Sequence, residues 1–310
     1  MESVERARDS RGPKTGRVRV RSGVPELAVR RLVDAGLEVR VGPLEVDGCG
    51  ALLCLLTDRI DDVFLAAAPE LRVVANMAVG TDNIDLAAAR ARGVVVTNTP
   101  DVLTDATADL AFALLLATAR RLPWSDRFVR GGGFRGWHPE LGLGLDVTGR
   151  ALGIVGYGRI GRAVAERAAG FRMRVSWCGR RGGTPLDELL ARSDFVSLHA
   201  PLLPETRHLI GERELRLMQP HAVLINTARG PLVDEAALVH ALREGWIAGA
   251  GLDVFEREPA LTPGLADLPQ VVLSPHVGSA TPGTRSQMAE IAARNIVAVL
   301  RGEPIPNRVA

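Results

Sequence analysis

Three residues of this 310-residue sequence have the types and settings for proton and carboxylate chemistry: His276, Arg229 and Glu258. His276 lies in Leu273-Ser274-Pro275-His276-Val277-Gly278-Ser279, Arg229 in Asn226-Thr227-Ala228-Arg229-Gly230, and Glu258 in Asp253-Val254-Phe255-Glu256-Arg257-Glu258-Pro259. Each follows an apolar run that reads as a strand, and open α/β sheets bind their ligands past the carboxyl ends of the strands. An imidazole exchanges its proton near neutral pH. A guanidinium grips a carboxylate with two parallel hydrogen bonds. A carboxylate beside the imidazole favours the imidazolium. The set suits reduction of a carbonyl next to a carboxylate, with a proton delivered to the oxygen as hydride arrives from a nicotinamide. Taken singly, a loop histidine, a surface arginine and a helix-capping glutamate are commoner in structural uses. Convergence on one sheet edge sets these three apart.

The elements that must hold them follow from hydrophobic periodicity. Residues 17–21, 51–56, 72–75 and 94–97 read as strands, alternating with helical patterns such as 25–35. A second series, 151–155, 173–177, 194–198, 222–227, 249–254 and 271–274, recurs at helix-sized spacing. This alternation predicts an α/β chain with two doubly wound parallel-sheet domains. Between the two series come a helical stretch over 101–121 and a Gly-rich, Trp-containing segment, 123–145, with little periodicity. The last helix, 283–301, comes after the second sheet is complete. It is expected to return to the first domain, which is then discontinuous.

Residues 151–161 read ALGIVGYGRIG, with Gly156, Gly158 and Gly161 in the GxGxxG spacing and Arg159 and Ile160 between the last two. The first glycine permits the tight turn, the second lets backbone approach a pyrophosphate, and the third lets helix and strand pack closely. A strand before it and a helix after it are the context that makes the motif a dinucleotide site. Where an NAD site carries a carboxylate at the end of the next strand, this sequence has Cys178-Gly179-Arg180-Arg181. Two arginines suit the 2′-phosphate that a carboxylate would repel, so Gly179, Arg180 and Arg181 point to NADP(H), the alternative being a solvated arginine pair. His199 also ends a strand but reads nearer the adenine end, in a packing or cofactor-edge role. His138, His208, His221 and His240 read as structural and without partners.

Composition narrows the chemistry further. Of 38 basic residues only Lys14 is lysine, so 38 − 1 = 37 are arginine. A Walker loop, a Schiff-base lysine and a lysine general base are thereby excluded unless the N-terminal tail supplies one. Cys49, Cys54 and Cys178 have neither CxxC nor zinc-finger spacing, so no disulfide framework and no metal site is expected. No apolar signal segment follows the charged first sixteen residues, and the apolar run over 110–119 is too short for a bilayer. A net charge of +2 with scattered arginines leaves no nucleic-acid footprint. A soluble protein of a reducing compartment, the cytoplasm, is expected, without membrane or nucleic-acid partners.

Jointly these motifs resemble the D-isomer-specific 2-hydroxyacid dehydrogenase family. The likeness runs from Val79-Gly80-Thr81-Asp82-Asn83-Ile84-Asp85, through the GxGxxG loop and His199-Ala200-Pro201-Leu202, to the segments around Arg229, Glu258 and His276. Within the family, the stretch 99–105, Gly136-Trp137, Cys178-Gly179-Arg180 and the ending Leu300-Arg301-Gly302-Glu303-Pro304 look most like NADPH-dependent glyoxylate/hydroxypyruvate reductases. The resemblance implies a Rossmann-type cofactor domain, residues 99–281, inserted in a flavodoxin-like substrate domain, residues 1–98 and 282–310. It implies His276 as acid/base, Glu258 as its partner and Arg229 as the carboxylate clamp, aided by backbone N–H groups of Val79 and Gly80. Ser279 and Trp137 join the substrate side, Trp137 from the partner subunit of a homodimer. Asp253 meets the nicotinamide carboxamide, and Pro201, Thr206 and Thr227 line the cofactor. Substrates would be small 2-oxo acids. The alternatives are an NAD-dependent dehydrogenase of another substrate, such as 3-phosphoglycerate, and a non-enzymatic nucleotide-sensing corepressor on the same fold.

Overall fold

A computed structural model describes residues 16–310; Lys14 and the rest of the N-terminal tail lie outside the described residues. The chain divides into two compact units, one running to Val102 and resuming over Pro282–Ala310, the other Leu103–Thr281.

In the first unit the strands are β1 (Arg17–Arg21), β2 (Glu38–Gly42), β3 (Ala51–Cys54), β4 (Val73–Asn76) and β5 (Val95–Thr97), with helices α1 (Glu26–Asp34), α2 (Asp62–Ala66) and α3 (Leu86–Ala91). The parallel sheet has the order β2-β1-β3-β4-β5, the flavodoxin-like arrangement. Residues of β3 and β4 are buried throughout, as a strand covered on both faces requires. One face packs Leu52, Cys54 and Val74 against Leu65 of α2 and Ala88 of α3. The C-terminal helix, Pro282–Arg301, packs against α1 and β4, and the chain end then pairs with β5. β2 escaped the sequence reading: its Glu-Val-Arg-Val-Gly pattern leaves Val41 exposed, because it is an edge strand with little to bury.

In the second unit the elements run α4 (Thr104–Ala119), α5 (Leu122–Arg130), β6 (Ala151–Val155), α6 (Arg159–Gly170), β7 (Arg174–Gly179), β8 (Gly182–Gly183), α7 (Leu186–Arg192), β9 (Phe195–Leu198), α8 (Glu212–Leu217), β10 (Val223–Asn226), α9 (Glu235–Arg243), β11 (Gly249–Leu252) and β12 (Val271–Leu273). The sheet order is β12-β11-β10-β9-β6-β7-β8, so the direction of winding reverses between β6 and β9. α4 and α6 cover one face, through Phe112, Leu115 and Val164. α7, α8 and α9 cover the other, through Leu189, Leu215 and Leu238. The fold is thus α/β with two parallel-sheet domains, the second of Rossmann type. Among the described strands only β8 runs antiparallel.

Two expectations need correction. The segment read as aperiodic opens with a helix, α5, which starts with Pro123 in its first turn and is held by a Trp124–Phe128 stack and an Arg130–Asp126 ion pair one turn apart. Its apolar side chains recur at helical spacing but none is buried, Leu122 and Val129 standing exposed. The histidines read as partnerless are in fact paired: His208 with Glu256 at 2.8 Å, His221 with Asp194 at 2.6 Å, and His240 edge-on against Trp246. His138 accepts a hydrogen bond from the Glu140 N–H.

The His221–Asp194 pair secures the amino ends of the central strands, because Asp194 also accepts the Ala151 N–H at 2.7 Å. Burial would raise the Asp194 carboxyl, but the Ala151 and His221 hydrogen bonds and the charges of His221 and Arg150 hold it below 3.8. A depressed carboxyl stabilises the fold above its unfolded pKa, and that contribution is lost as pH falls through the folded value. Asp194→Asn is therefore expected to lower the melting temperature at pH 7 by a few degrees, for a loss of about 1–2 kcal/mol. The gap to the unaltered protein should close below about pH 4. Melting curves across pH check this, and a gap that stays constant down to pH 3 would refute it.

Candidate active site

At the winding reversal β6 ends in the glycine loop. Gly156 has φ 95°, and a side chain there would come within 2.6 Å of the His199 and Ala200 backbone, so glycine is required twice over. A Cβ on Gly161 would strike the Gly156 carbonyl, whereas nothing stands within 4 Å of one on Gly158, which caps α6. The loop therefore leaves its open side at a helix N-terminus, where phosphate charge is favoured. Ile160 packs into the core below, and Arg159 is exposed. Next to the loop Tyr157 stacks on Trp177 at 4.8 Å, a pair the sequence reading missed.

β7 ends at Gly179, and Cys178 and Gly179 pair with Gly183 and Gly182. Arg180 and Arg181 thus form the tip of a two-residue hairpin and are exposed. No carboxylate occupies this strand end. In the second unit, among the described residues, two buried polar atoms past strand ends have no partner: Thr227 Oγ1 after β10 and His199 Nδ1 after β9. The other ring nitrogen of His199 bonds Ser197 at 2.8 Å, and burial pushes the imidazole down to about 4, so it is neutral. Thr206 accepts the Leu203 N–H and donates to the Pro201 carbonyl, which fixes the turn after β9. An open glycine cradle, unspent polar atoms and an arginine tip fit a dinucleotide.

The three chemical residues converge. Asn226, at the end of β10, folds the next turn by accepting the Ala228 N–H and donating to the Arg229 carbonyl. Arg229 is half-buried, with one guanidinium nitrogen on the Ala228 carbonyl. Gly230 lies so close to the Phe255–Glu256 peptide that any Cβ would collide with it, which locks this turn to the loop carrying Glu258. Buried Glu235 braces the same loop by accepting the Glu256 N–H at 2.7 Å and the Thr262 hydroxyl. Glu258 accepts the Phe255 N–H with one oxygen and His276 Nδ1–H, at 2.9 Å, with the other. Burial would raise its carboxyl, but the His276 and Phe255 hydrogen bonds and the charges of His276 and Arg229 hold it below 4.5.

His276 has φ 54°, a strained value for a non-glycine residue. Asp253 over-determines it: the fully buried carboxylate accepts Ser274 Oγ–H and the Val277 and Gly278 N–H groups, and its carbonyl accepts the His276 N–H. Asp253 thus builds the turn that presents His276 and leaves little capacity for a further donor. Ser279 follows on this turn, half-buried. Trp137 stands 83% exposed, apart from this cluster. In the first unit Val79 and Gly80 lie in the turn after β4.

Residues 112–278 match the sequence profile of the D-isomer specific 2-hydroxyacid dehydrogenase NAD binding domain. The chain belongs to that family. It is 54% identical over 280 residues to the glyoxylate reductase of Thermococcus litoralis, covering 86% of this chain and 84% of the relative. It is 51% identical to the glyoxylate reductase of Pyrococcus horikoshii, with 92% and 93% covered. Its fold matches the NADPH-dependent glyoxylate/hydroxypyruvate reductase of Sinorhizobium meliloti, solved with NADP and malonate, at a TM-score of 0.87 and 34% identity, covering 96% and 97%. As a D-2-hydroxyacid dehydrogenase the chain is an oxidoreductase that reduces a 2-oxo acid to a 2-hydroxy acid. Among the described residues no helix is long and apolar enough to cross a membrane, and no cluster of side chains could hold a metal ion.

Proposed function

We propose that this D-2-hydroxyacid dehydrogenase reduces glyoxylate and hydroxypyruvate with NADPH, as a cytoplasmic homodimer. The observation that carries the reading is the His276–Glu258 hydrogen bond beside Arg229 on a dinucleotide-binding sheet. Relatives named as glyoxylate reductases support the substrate class. Three buried free thiols suit a reducing compartment. Apolar side chains left exposed on the 122–143 excursion, Leu122, Val129, Phe134, Trp137 and Leu143, suit coverage by a second copy. The substrate domain is residues 1–98 and 282–310, and the cofactor domain is 99–281.

NADPH, when bound, supplies the hydride. Gly156, Gly158 and Gly161 admit its pyrophosphate with Arg159 and Ile160 between them, Arg180 and Arg181 take the 2′-phosphate, and Pro201, Thr206, Thr227 and Asp253 border it. Arg229 clamps the substrate carboxylate and thereby aims the neighbouring carbonyl, with Val79 and Gly80 amides, Ser279 and the partner's tryptophan completing the substrate side. His276 gives its Nε2 proton to the carbonyl oxygen while Nδ1–H stays on Glu258. Glu258, ionised throughout the neutral range, holds the ring orientation through the Nδ1–H hydrogen bond.

The test is NADPH and NADH oxidation against a panel of 2-oxo acids. Turnover of glyoxylate and hydroxypyruvate with NADPH is expected, and NADPH binding without turnover of any 2-oxo acid would point to a nucleotide sensor instead. Arg180→Ala is expected to weaken NADPH selectively, by roughly 1.5–3 kcal/mol, the loss of one charge-assisted contact. Equal kcat/KM for both cofactors in the unaltered enzyme would refute this cofactor assignment.

A further inference from the structure

Three connections that leave the carboxyl ends of β9, β10 and β11 meet at His208. The chain arrives from β9 through the Thr206 turn, and the His208 N–H donates to the Pro231 carbonyl at 2.8 Å, two residues past Arg229. Ile210 continues the contact, its N–H on the Leu232 carbonyl and its carbonyl on the Asp234 N–H, both at 3.0 Å. Backbone bonds thus lace this segment to the turn that carries Arg229. His208 has φ 51°, a left-handed value that a residue other than glycine keeps only where its surroundings over-determine it.

The imidazole of His208 faces the third connection. Its Nε2 meets Glu256 Oε1 at 2.8 Å, two residues before Glu258. With Glu256 as a carboxylate, which can only accept, the ring nitrogen donates. Glu256 and the buried Glu235 also exchange backbone donors: Glu235 accepts the Glu256 N–H at 2.7 Å, and Glu256 accepts the Glu235 N–H at 3.4 Å. Two carboxylates held on each other's peptides repel, and a donor facing one of them offsets this. His208 is the near donor, whereas Arg207 stands 3.6 Å away and is 55% exposed. Glu256 in turn shares its short loop with Phe255, whose N–H bonds Glu258.

We infer that His208 is a positioning residue: through Glu256 it holds the loop that sets Glu258 against His276, and through its backbone it ties that loop to the Arg229 turn. This rests on the reading of Glu258 and His276 as the acid/base pair, and it adds His208 and Glu256 to the pair. Ring orientation matters when the proton moves, so loss of the strut should lower kcat and kcat/KM together and leave KM in place.

His208→Asn and His208→Gln test it. Asparagine tolerates the left-handed backbone but is too short to reach Glu256, while the glutamine amide nitrogen lies as many bonds from the backbone as Nε2. In His208→Asn a kcat about tenfold lower is expected, the fold-change of one hydrogen bond, with glyoxylate KM and NADPH affinity within about twofold. His208→Gln should recover most of the loss. In a Glu258→Gln background, His208→Asn should cost less than about twofold, because a residue acting through Glu258 has nothing left to position. Hydrogen exchange over residues 255–262 should quicken in His208→Asn, which reads the strut without activity. Should His208→Asn fail to fold, Glu256→Gln, which keeps the size of the side chain but not its charge, carries the same measurements. Unaltered kcat, unaltered exchange, no recovery by glutamine, or a tenfold loss that persists in the Glu258→Gln background overturns the inference and leaves glyoxylate reduction intact. An unaltered protein that reduces no 2-oxo acid removes the proposed function and the positioning role of His208 with it.

Discussion

Replacing His276 with asparagine is expected to cut kcat by about 10²–10⁴-fold, the usual worth of a positioned general acid. Asparagine keeps a polar group near Glu258 but has no proton to release to a forming alkoxide. NADPH affinity should stay nearly unchanged, because the phosphate loop follows β6 while His276 follows β12, at the far end of the sheet order. Glu258→Gln tests the pairing separately. The amide keeps the size of the carboxylate but not its charge, so the ring loses a charge-assisted partner that fixes its orientation, and kcat is expected to fall by about tenfold. Glu258 itself is held below 4.5 and contributes no titration near neutrality in the unaltered enzyme. An unaltered kcat in Glu258→Gln, or full activity in His276→Asn, would remove the pair from the chemistry.

Arg229→Lys should separate orientation from charge. A lysine keeps the charge but offers a compact point in place of a planar fork, so the carboxylate stays attracted while the carbonyl is free to swing. A misplacement of about 1 Å can cost on the order of 10²-fold in rate, and both kcat and KM are expected to worsen. The local frame should survive, because Asn226 and Gly230 set the turn through backbone contacts that do not involve the guanidinium. Steady-state kinetics with glyoxylate and hydroxypyruvate, beside NADPH binding by fluorescence, reads this. Wild-type kinetics would take Arg229 out of the site, and loss of NADPH binding would assign it to the cofactor or to folding.

What the sequence by itself determined is local in kind. Alternating short apolar runs and helical patterns decide an α/β chain, and GxGxxG between a strand and a helix decides a dinucleotide loop, because period and glycine spacing are properties of a few neighbouring residues. The places of Arg229, Glu258 and His276 past strand ends were legible for the same reason. Edge strand β2 and helix α5 were not read: β2 is a five-residue edge strand, and α5 is a nine-residue helix that opens on Leu122-Pro123 and lies in a Gly-rich stretch. Tertiary structure alone decided everything that joins distant segments: the partners of His208 and His221, the collision that demands Gly230, the use of Asp253 to hold the strained His276, and the Asn98 and Asn76 amides on the Val79 and Gly80 carbonyls. Each depends on groups distant in sequence being brought into contact by the winding of a sheet, and residues such as Asn76 and Asn83 carry no sign in sequence of which carbonyl they will meet.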